Sequence, residues 1–102
     1  HIGHDCLIGN NVIIANSSGI SGHVTIEDWA IIEGMCGVQQ FVRIGTHAFV
    51  AGMTSVRKNV PPFIRAAREP LAYAGINAIG LYKNKNSYGN YIRYKKWIMY
   101  EL

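Results

Sequence analysis

A parallel β-solenoid of triangular cross-section is the fold this sequence predicts, and three observations predict it. First, aliphatic residues stand at an unbroken spacing of six: Ile2, Ile8, Ile14, Ile20, Ile26, Ile32, Val38, Ile44, Val50 and Val56. Neither a helix of period 3.6 nor a simple strand of period 2 produces that series. The chain must therefore turn a corner once per hexad and bring the same kind of side chain inward each time. Second, the residue four places after an anchor is usually small and apolar, as at Cys6, Val12, Val24, Ala30, Cys36, Val42 and Ala48. Third, Gly, Ala or Ser often follows the anchor, and Asn and Gly recur near the expected corners, where left-handed backbone angles are cheap. Self-similarity of this period marks a hexapeptide-repeat β-helix.

Residues 1–62 read as its coils. Three hexads per coil place residues eighteen apart above one another, at roughly the 4.8 Å spacing of paired strands. The inward columns are then Ile2, Ile20, Val38, Val56; Ile8, Ile26, Ile44; and Ile14, Ile32, Val50. A hexad already running at His1, with no initiator Met and no visible cap, leads to the expectation of further coils upstream. At Pro61-Pro62 the next anchor is proline, which cannot donate to an inter-coil ladder, so the prism is expected to stop there. Residues 63–81 read as a connecting segment with a short strand or turn. Residues 82–102 read as a Lys- and Asn-rich loop, then the start of an amphipathic helix: from the N-cap candidate Asn90, the residues Tyr91, Ile92, Lys95, Ile98, Met99 and Leu102 recur at three- and four-residue steps.

A chain of 102 residues makes one domain at most. Cys6 and Cys36 occupy positions where a small buried residue is wanted, so both read as core rather than as a disulfide or a catalytic thiol. No apolar run approaches the roughly 18 residues of a membrane span, and no signal-peptide pattern begins the sequence; a cytoplasmic protein fits. The charge of +4 is uneven, with −3 over residues 1–54 and +7 over 55–102. The basic end is suited to an acidic partner: a nucleotide diphosphate, an acidic carrier protein or nucleic acid.

Counting by eighteen sorts the four histidines. His4, Gly22 and Gln40 share one column; Asp5 and His23 share the next; His1 lies three residues before His4. His47 falls on another side, where it reads as a surface or subunit-contact residue. A glycine between two polar side chains leaves a notch and bares its own N–H. Acyl transfer needs a base for the attacking hydroxyl and a donor for the oxyanion that develops, and His4 and Gly22 can supply them. Asp5 can hold His4 or His23 in one tautomer; the sequence leaves open which. Zinc is the rival chemistry. Solenoid carbonic anhydrases pair two ligands five residues apart, one or two coils from the third; His4, His23 and His47 do not show this, and no metal is expected.

The stretches His1-Ile2-Gly3-His4-Asp5-Cys6, Ile8-Gly9-Asn10, Ser21-Gly22-His23-Val24, Gln40-Phe41 with Ile44-Gly45, Asn59-Val60-Pro61-Pro62, and Gly75-Ile76-Asn77 with Gly80-Leu81 run in register over residues 1–81. Together they resemble the UDP-N-acetylglucosamine O-acyltransferases that begin lipid A synthesis in Gram-negative bacteria. Ala66-Ala67-Arg68-Glu69-Pro70-Leu71 is similar to the Bacteroidota version. The resemblance implies a left-handed β-helix followed by a partial α-helical C-terminal region. It implies a homotrimeric enzyme without a cofactor that moves a 3-hydroxyacyl chain from acyl carrier protein to the 3-hydroxyl of UDP-N-acetylglucosamine.

Carried over position by position, His4 matches the general base, Asp5 its orienting neighbour and Gly22 the backbone oxyanion donor. His1, His23 and Gln40 match positions lining the substrate cleft, Gly52 the site limiting acyl length, and Asn77 a nucleotide contact. Lys83 stands where an arginine is usual. Gln39 replaces a common histidine and Ile79 a frequent acidic residue. Past Leu81, Tyr82-Lys83-Asn84-Lys85-Asn86 replaces Arg-Arg-Gly-Phe, and lysine does not reproduce arginine's bidentate grip on phosphate.

The sister N-acyltransferase of the same pathway shares the fold and a catalytic histidine; the Val60-Pro61-Pro62 and Ala66-to-Leu71 matches favour the O-acyltransferase. A non-catalytic solenoid of the ice-binding kind would show rows of identical residues, whereas Thr25, Thr46 and Thr54 form no column. A nucleic-acid binder would spread its bases over an aromatic face, and none is expected here.

Overall fold

The computed structural model describes residues 1–67 and the backbone of residues 72–76. Two-residue strands recur along the chain: β1 (Leu7–Ile8), β2 (Ile13–Ile14), β3 (Gly19–Ile20), β4 (Thr25–Ile26), β5 (Ile31–Ile32), β6 (Gly37–Val38), β7 (Arg43–Ile44), β8 (Phe49–Val50) and β9 (Ser55–Val56). Two longer ones follow, β10 (Ile64–Ala67) and β11 (Ala72–Ile76). They stack into three parallel faces: β1-β4-β7, β2-β5-β8 and β3-β6-β9. Across β1–β9 the register is eighteen, as in Ile8↔Ile26, Ile14↔Ile32 and Ile20↔Val38, so the inward columns are those read from the hexads.

Ile20, Ile26, Ile32, Ile44, Val50 and Val56 are at most 1% exposed. Each contributes about 1.5–3 kcal/mol by leaving water. Cys36 lies within this core and Cys6 packs against it. Their thiols donate to the carbonyls of Ala51 and Ser21, both at 3.1 Å, so each cysteine also ties two coils together. Among the described residues no helix is long and apolar enough to cross a membrane.

The corners differ from expectation in one respect. Each is a two-residue turn whose second residue has positive φ, and these residues are Asp5, Asn11, Ser17, His23, Trp29, Met35, Phe41, His47 and Met53, with Phe63 beyond. None of the described glycines takes that conformation. Left-handed backbone costs about 1–2 kcal/mol in a residue with a side chain. The cost is offset because it aims the N–H at the coil below: His23 donates to His4 O, Met35 to Asn16 O and Met53 to Gly34 O, at 2.9–3.0 Å.

The prism does not stop at Pro61-Pro62. Val60 pairs with Ile44, and β10 joins β8 in parallel through Arg65↔Phe49 and Ala66↔Val50, all sixteen apart rather than eighteen. The corner after Val56 has lost two residues, and the hexad resumes at Val60 and Ala66, both buried. The prolines are tolerated because of where they fall in that shortened register. Pro61 takes the place of Gly45, whose N–H donates to Val60 O on the following coil. A missing N–H at Pro61 is therefore lost from the side facing onward, not from the ladder with the coil beneath. The segment after it, expected to be a connection with a short strand or turn, is in part an antiparallel pair, β10 with β11, that extends one face. The expected loop and helix over 82–102 lie outside the described residues.

His47 is a correction: it is 9% exposed, not a surface residue. Its ring stacks between Trp29 (5.9 Å between centroids) and Phe63 (5.4 Å), one member of a vertical aromatic column. Burial holds its pKa below the ordinary histidine value. Below about pH 6.5 the unfolded chain then binds a proton that the folded chain resists, so this contribution to stability is whole above pH 6.5 and is lost as pH falls below it. The denaturation midpoint is expected to drop more between pH 7.5 and 5.5 in the native sequence than in His47→Phe; equal slopes would refute the role.

Candidate active site

The corner joining the β3-β6-β9 face to the β1-β4-β7 face carries the polar cluster. Its first-residue column is His4, Gly22, Gln40, and its second-residue column is Asp5, His23, Phe41. The coil register stacks these residues, and the positive φ at Asp5, His23 and Phe41 turns that column outward as a rib.

His4 Nδ1 lies 2.9 Å from Asp5 Oδ2, and His23 Nε2 lies 3.9 Å from the same oxygen. The carboxylate therefore engages His4, which settles the alternative left open by the sequence. The His4 and His23 rings meet edge to face at 5.0 Å, and His23 stacks flat on Phe41 at 4.8 Å. Phe41 is 70% exposed, so it fixes the plane of the His23 ring without burying the group.

Gly22 fits beneath the imidazole. A Cβ there would stand 3.3 Å from His4 Cε1 and Nε2, a contact too tight to accept without displacing the ring. Its N–H lacks the side-chain cap that some other corners carry. Thr46 N and Gly52 N are capped by Glu27 Oε1 and Glu33 Oε1, carboxylates nineteen residues earlier, at 3.0 and 3.1 Å. Nineteen before Gly22 stands Gly3, which has no side chain and could hold none, since a Cβ would come within 2.7 Å of Gly22 N. Among the described residues nothing accepts from the Gly22 N–H. An unsatisfied backbone donor beside an imidazole is a place where a carbonyl oxygen gains on becoming an anion.

A groove of about 690 Å³ runs from this corner across the β3-β6-β9 face, with His1, His4, Gly22, Gln40 and Arg57 on its walls. Its floor is almost free of side chains. The outward column of this face is His1, Gly19, Gly37, Ser55, whereas the other faces present Leu7, Thr25, Arg43 and Ile13, Ile31, Phe49. A Cβ at Gly19 or Gly37 would meet nothing within 4 Å, and neither residue has positive φ, so nothing in the chain's own packing demands glycine there.

The structure thus gathers His1, His4, Asp5, Gly22, His23 and Gln40 in one place. Gly52 is not with them; it lies at the opposite edge of the same face, beside the exposed Met53. Asn77 and Lys83 lie outside the described residues. The glycine floor and Gly3 escaped the sequence reading, although counting by eighteen from His1 and by nineteen from Gly22 would have found them.

Comparison with known proteins agrees with this fold. No protein-family model matches the chain. The acyl-[acyl-carrier-protein]–UDP-N-acetylglucosamine O-acyltransferase of Burkholderia lata is 49% identical over 81 residues, 79% of this chain and 31% of that protein. The chain therefore spans about a third of the length of the curated relatives it matches. The crystal structure of LpxA, a UDP-N-acetylglucosamine acyltransferase from Bacteroides fragilis, superposes with a TM-score of 0.75 at 43% identity, over 79% of this chain and 32% of that one. LpxA from Acinetobacter baumannii gives 0.76 at 34% identity, over 79% and 31%.

Because Asp5 accepts at Nδ1, the neutral His4 ring is expected to carry its proton there and leave Nε2 free. Long-range ¹H–¹⁵N spectra should show the Nδ1–H form of His4 in the native chain and a redistribution toward Nε2–H in Asp5→Ala. A tautomer ratio unmoved by that change would remove Asp5 from the orienting role.

Proposed function

The 81 matched residues belong to the UDP-N-acetylglucosamine O-acyltransferase family, and from that premise we propose that the chain transfers a 3-hydroxyacyl group from an acyl carrier protein to the 3-hydroxyl of UDP-N-acetylglucosamine, the step that begins lipid A synthesis. The observation that carries this reading is the single corner holding the Asp5–His4 pair over the uncapped Gly22 N–H. His4 Nε2 takes the proton of the sugar hydroxyl as its oxygen attacks the thioester carbonyl. The oxyanion accepts from Gly22 N–H, and Asp5 steadies the imidazolium through Nδ1–H. Collapse of the adduct breaks the C–S bond, and the proton on Nε2 passes to the departing thiolate. No cofactor enters the sequence.

His1, His23 and Gln40 line the acceptor cleft in this reading. Gly52, at the far edge of the floor, limits the length of the acyl chain, and Asn77 and Lys83 contact the nucleotide. The winding is left-handed, and the enzyme works in the cytoplasm.

The glycine floor supports a homotrimer. Glycines that the chain itself does not require make sense where another body must lie against the backbone, and a second copy would close the groove over His4. Two measurements test these proposals. His4→Ala should lower kcat by roughly 10² to 10⁴ with acceptor KM little changed, and near-native turnover would exclude His4 as the base; assaying the amine acceptor of the sister enzyme alongside separates the two reactions. Gly37→Lys, sterically silent in a lone chain, should shift the sedimenting species from trimer to monomer. An unchanged trimer would move the subunit contact to another face.

A further inference from the structure

We propose that His4, Asp5 and His23 form a binding site for a divalent transition-metal ion such as Zn²⁺, and that filling it switches the histidine off as a base. Sequence spacing pointed away from metal because it compared His4, His23 and His47. The fold assembles a different set: His4, Asp5 and His23 each offer one ligand atom, and these atoms lie within 4.8 Å of one another. Two imidazoles and a carboxylate suit Zn²⁺, Co²⁺ or Ni²⁺, and disfavour the oxygen-seeking Mg²⁺.

The geometry needs adjustment, most of all between the two imidazole nitrogens, which lie within 4.8 Å of each other. Ligand atoms bound tetrahedrally at about 2.0–2.1 Å stand roughly 3.4 Å apart. The His4 Nδ1–Asp5 Oδ2 distance of 2.9 Å must open slightly, and the His23 Nε2–Asp5 Oδ2 distance of 3.9 Å must close slightly. The side chains of His4 and Asp5 are 73% and 69% exposed and free to turn, while the stack on Phe41 keeps the His23 ring in its plane. A fourth position remains open to water.

The inhibitory effect follows from the ring's proton count and rests on the acyl-transfer reading above. A neutral imidazole carries one N–H. Coordination through Nδ1 takes the nitrogen that bonds Asp5 and leaves that proton on Nε2, the atom required to accept the hydroxyl proton. The base is lost without any change in net protonation, and Asp5 is withdrawn at the same time.

Titration of the chain with Co²⁺, followed by its visible d–d absorption, tests the binding. One saturable ion per chain is expected. Asp5→Asn and His23→Asn, which tolerate the left-handed backbone at these positions, should each weaken binding at least about tenfold, and His47→Phe should leave it unchanged. Circular dichroism of each variant confirms that the coils are intact. Absence of binding up to on the order of 1 mM metal, or binding that survives both substitutions, overturns the site. In the acyl-transfer assay Zn²⁺ should suppress turnover over the range in which it displaces Co²⁺, with recovery on chelation; full turnover at saturating metal overturns the switch. Co²⁺ absorption needs no acyl chemistry, so a chain that binds metal yet transfers no acyl group defeats the reaction proposed above and leaves the site standing.

Discussion

The eighteen-residue register between coils is the constraint on which the rest of the molecule depends. Backbone hydrogen bonds tie each coil to the next, and a coil that gained or lost one residue would rotate every later side chain out of its column. Inward aliphatic positions hold the register because each must find the like position above it. The single departure among the described residues, two residues dropped after Val56, is accepted because an even step keeps inward positions inward; Val60 and Ala66 remain in the core.

That register also makes chemistry out of repetition. All three corners share one backbone geometry, with a left-handed second residue bonded to the coil below. They differ in what hangs from it. One edge carries the Trp29–His47–Phe63 stack, which serves packing, and another carries Met35 and Met53. At the third, Gly3 and Gly22 leave room at the turn, with an imidazole, a carboxylate and an unsatisfied amide in contact range. The candidate site is therefore a structural corner at which an imidazole and a carboxylate stand beside an open amide.

Closeness of this kind has two uses. The arrangement that lets Asp5 orient His4 also brings His23 near the same carboxylate oxygen. In the proposed reaction a proton on Nδ1 keeps the pair ready for base chemistry, and in the proposed metal site an ion in that proton's place silences it. The exposure of both groups makes the two occupants competitors for one set of lone pairs.

Much of this was legible in the residues alone. The six-residue period determined the inward columns, the coil length and the common side of His1, His4, Asp5, Gly22 and His23, because each is a matter of counting once the period is known. Tertiary structure decided what counting does not reach. The choice of Asp5 for His4 over His23 depends on side-chain rotation about a left-handed backbone. The burial of His47 depends on aromatic neighbours one coil away on either side, one of them brought into line by the shortened corner. The continuation past Pro61-Pro62 depends on which direction a missing N–H would have pointed. The uncapped Gly22 amide depends on a residue nineteen places earlier having no side chain. A linear repeat specifies position; direction, contact and satisfaction of hydrogen bonds exist only once neighbouring coils are in place.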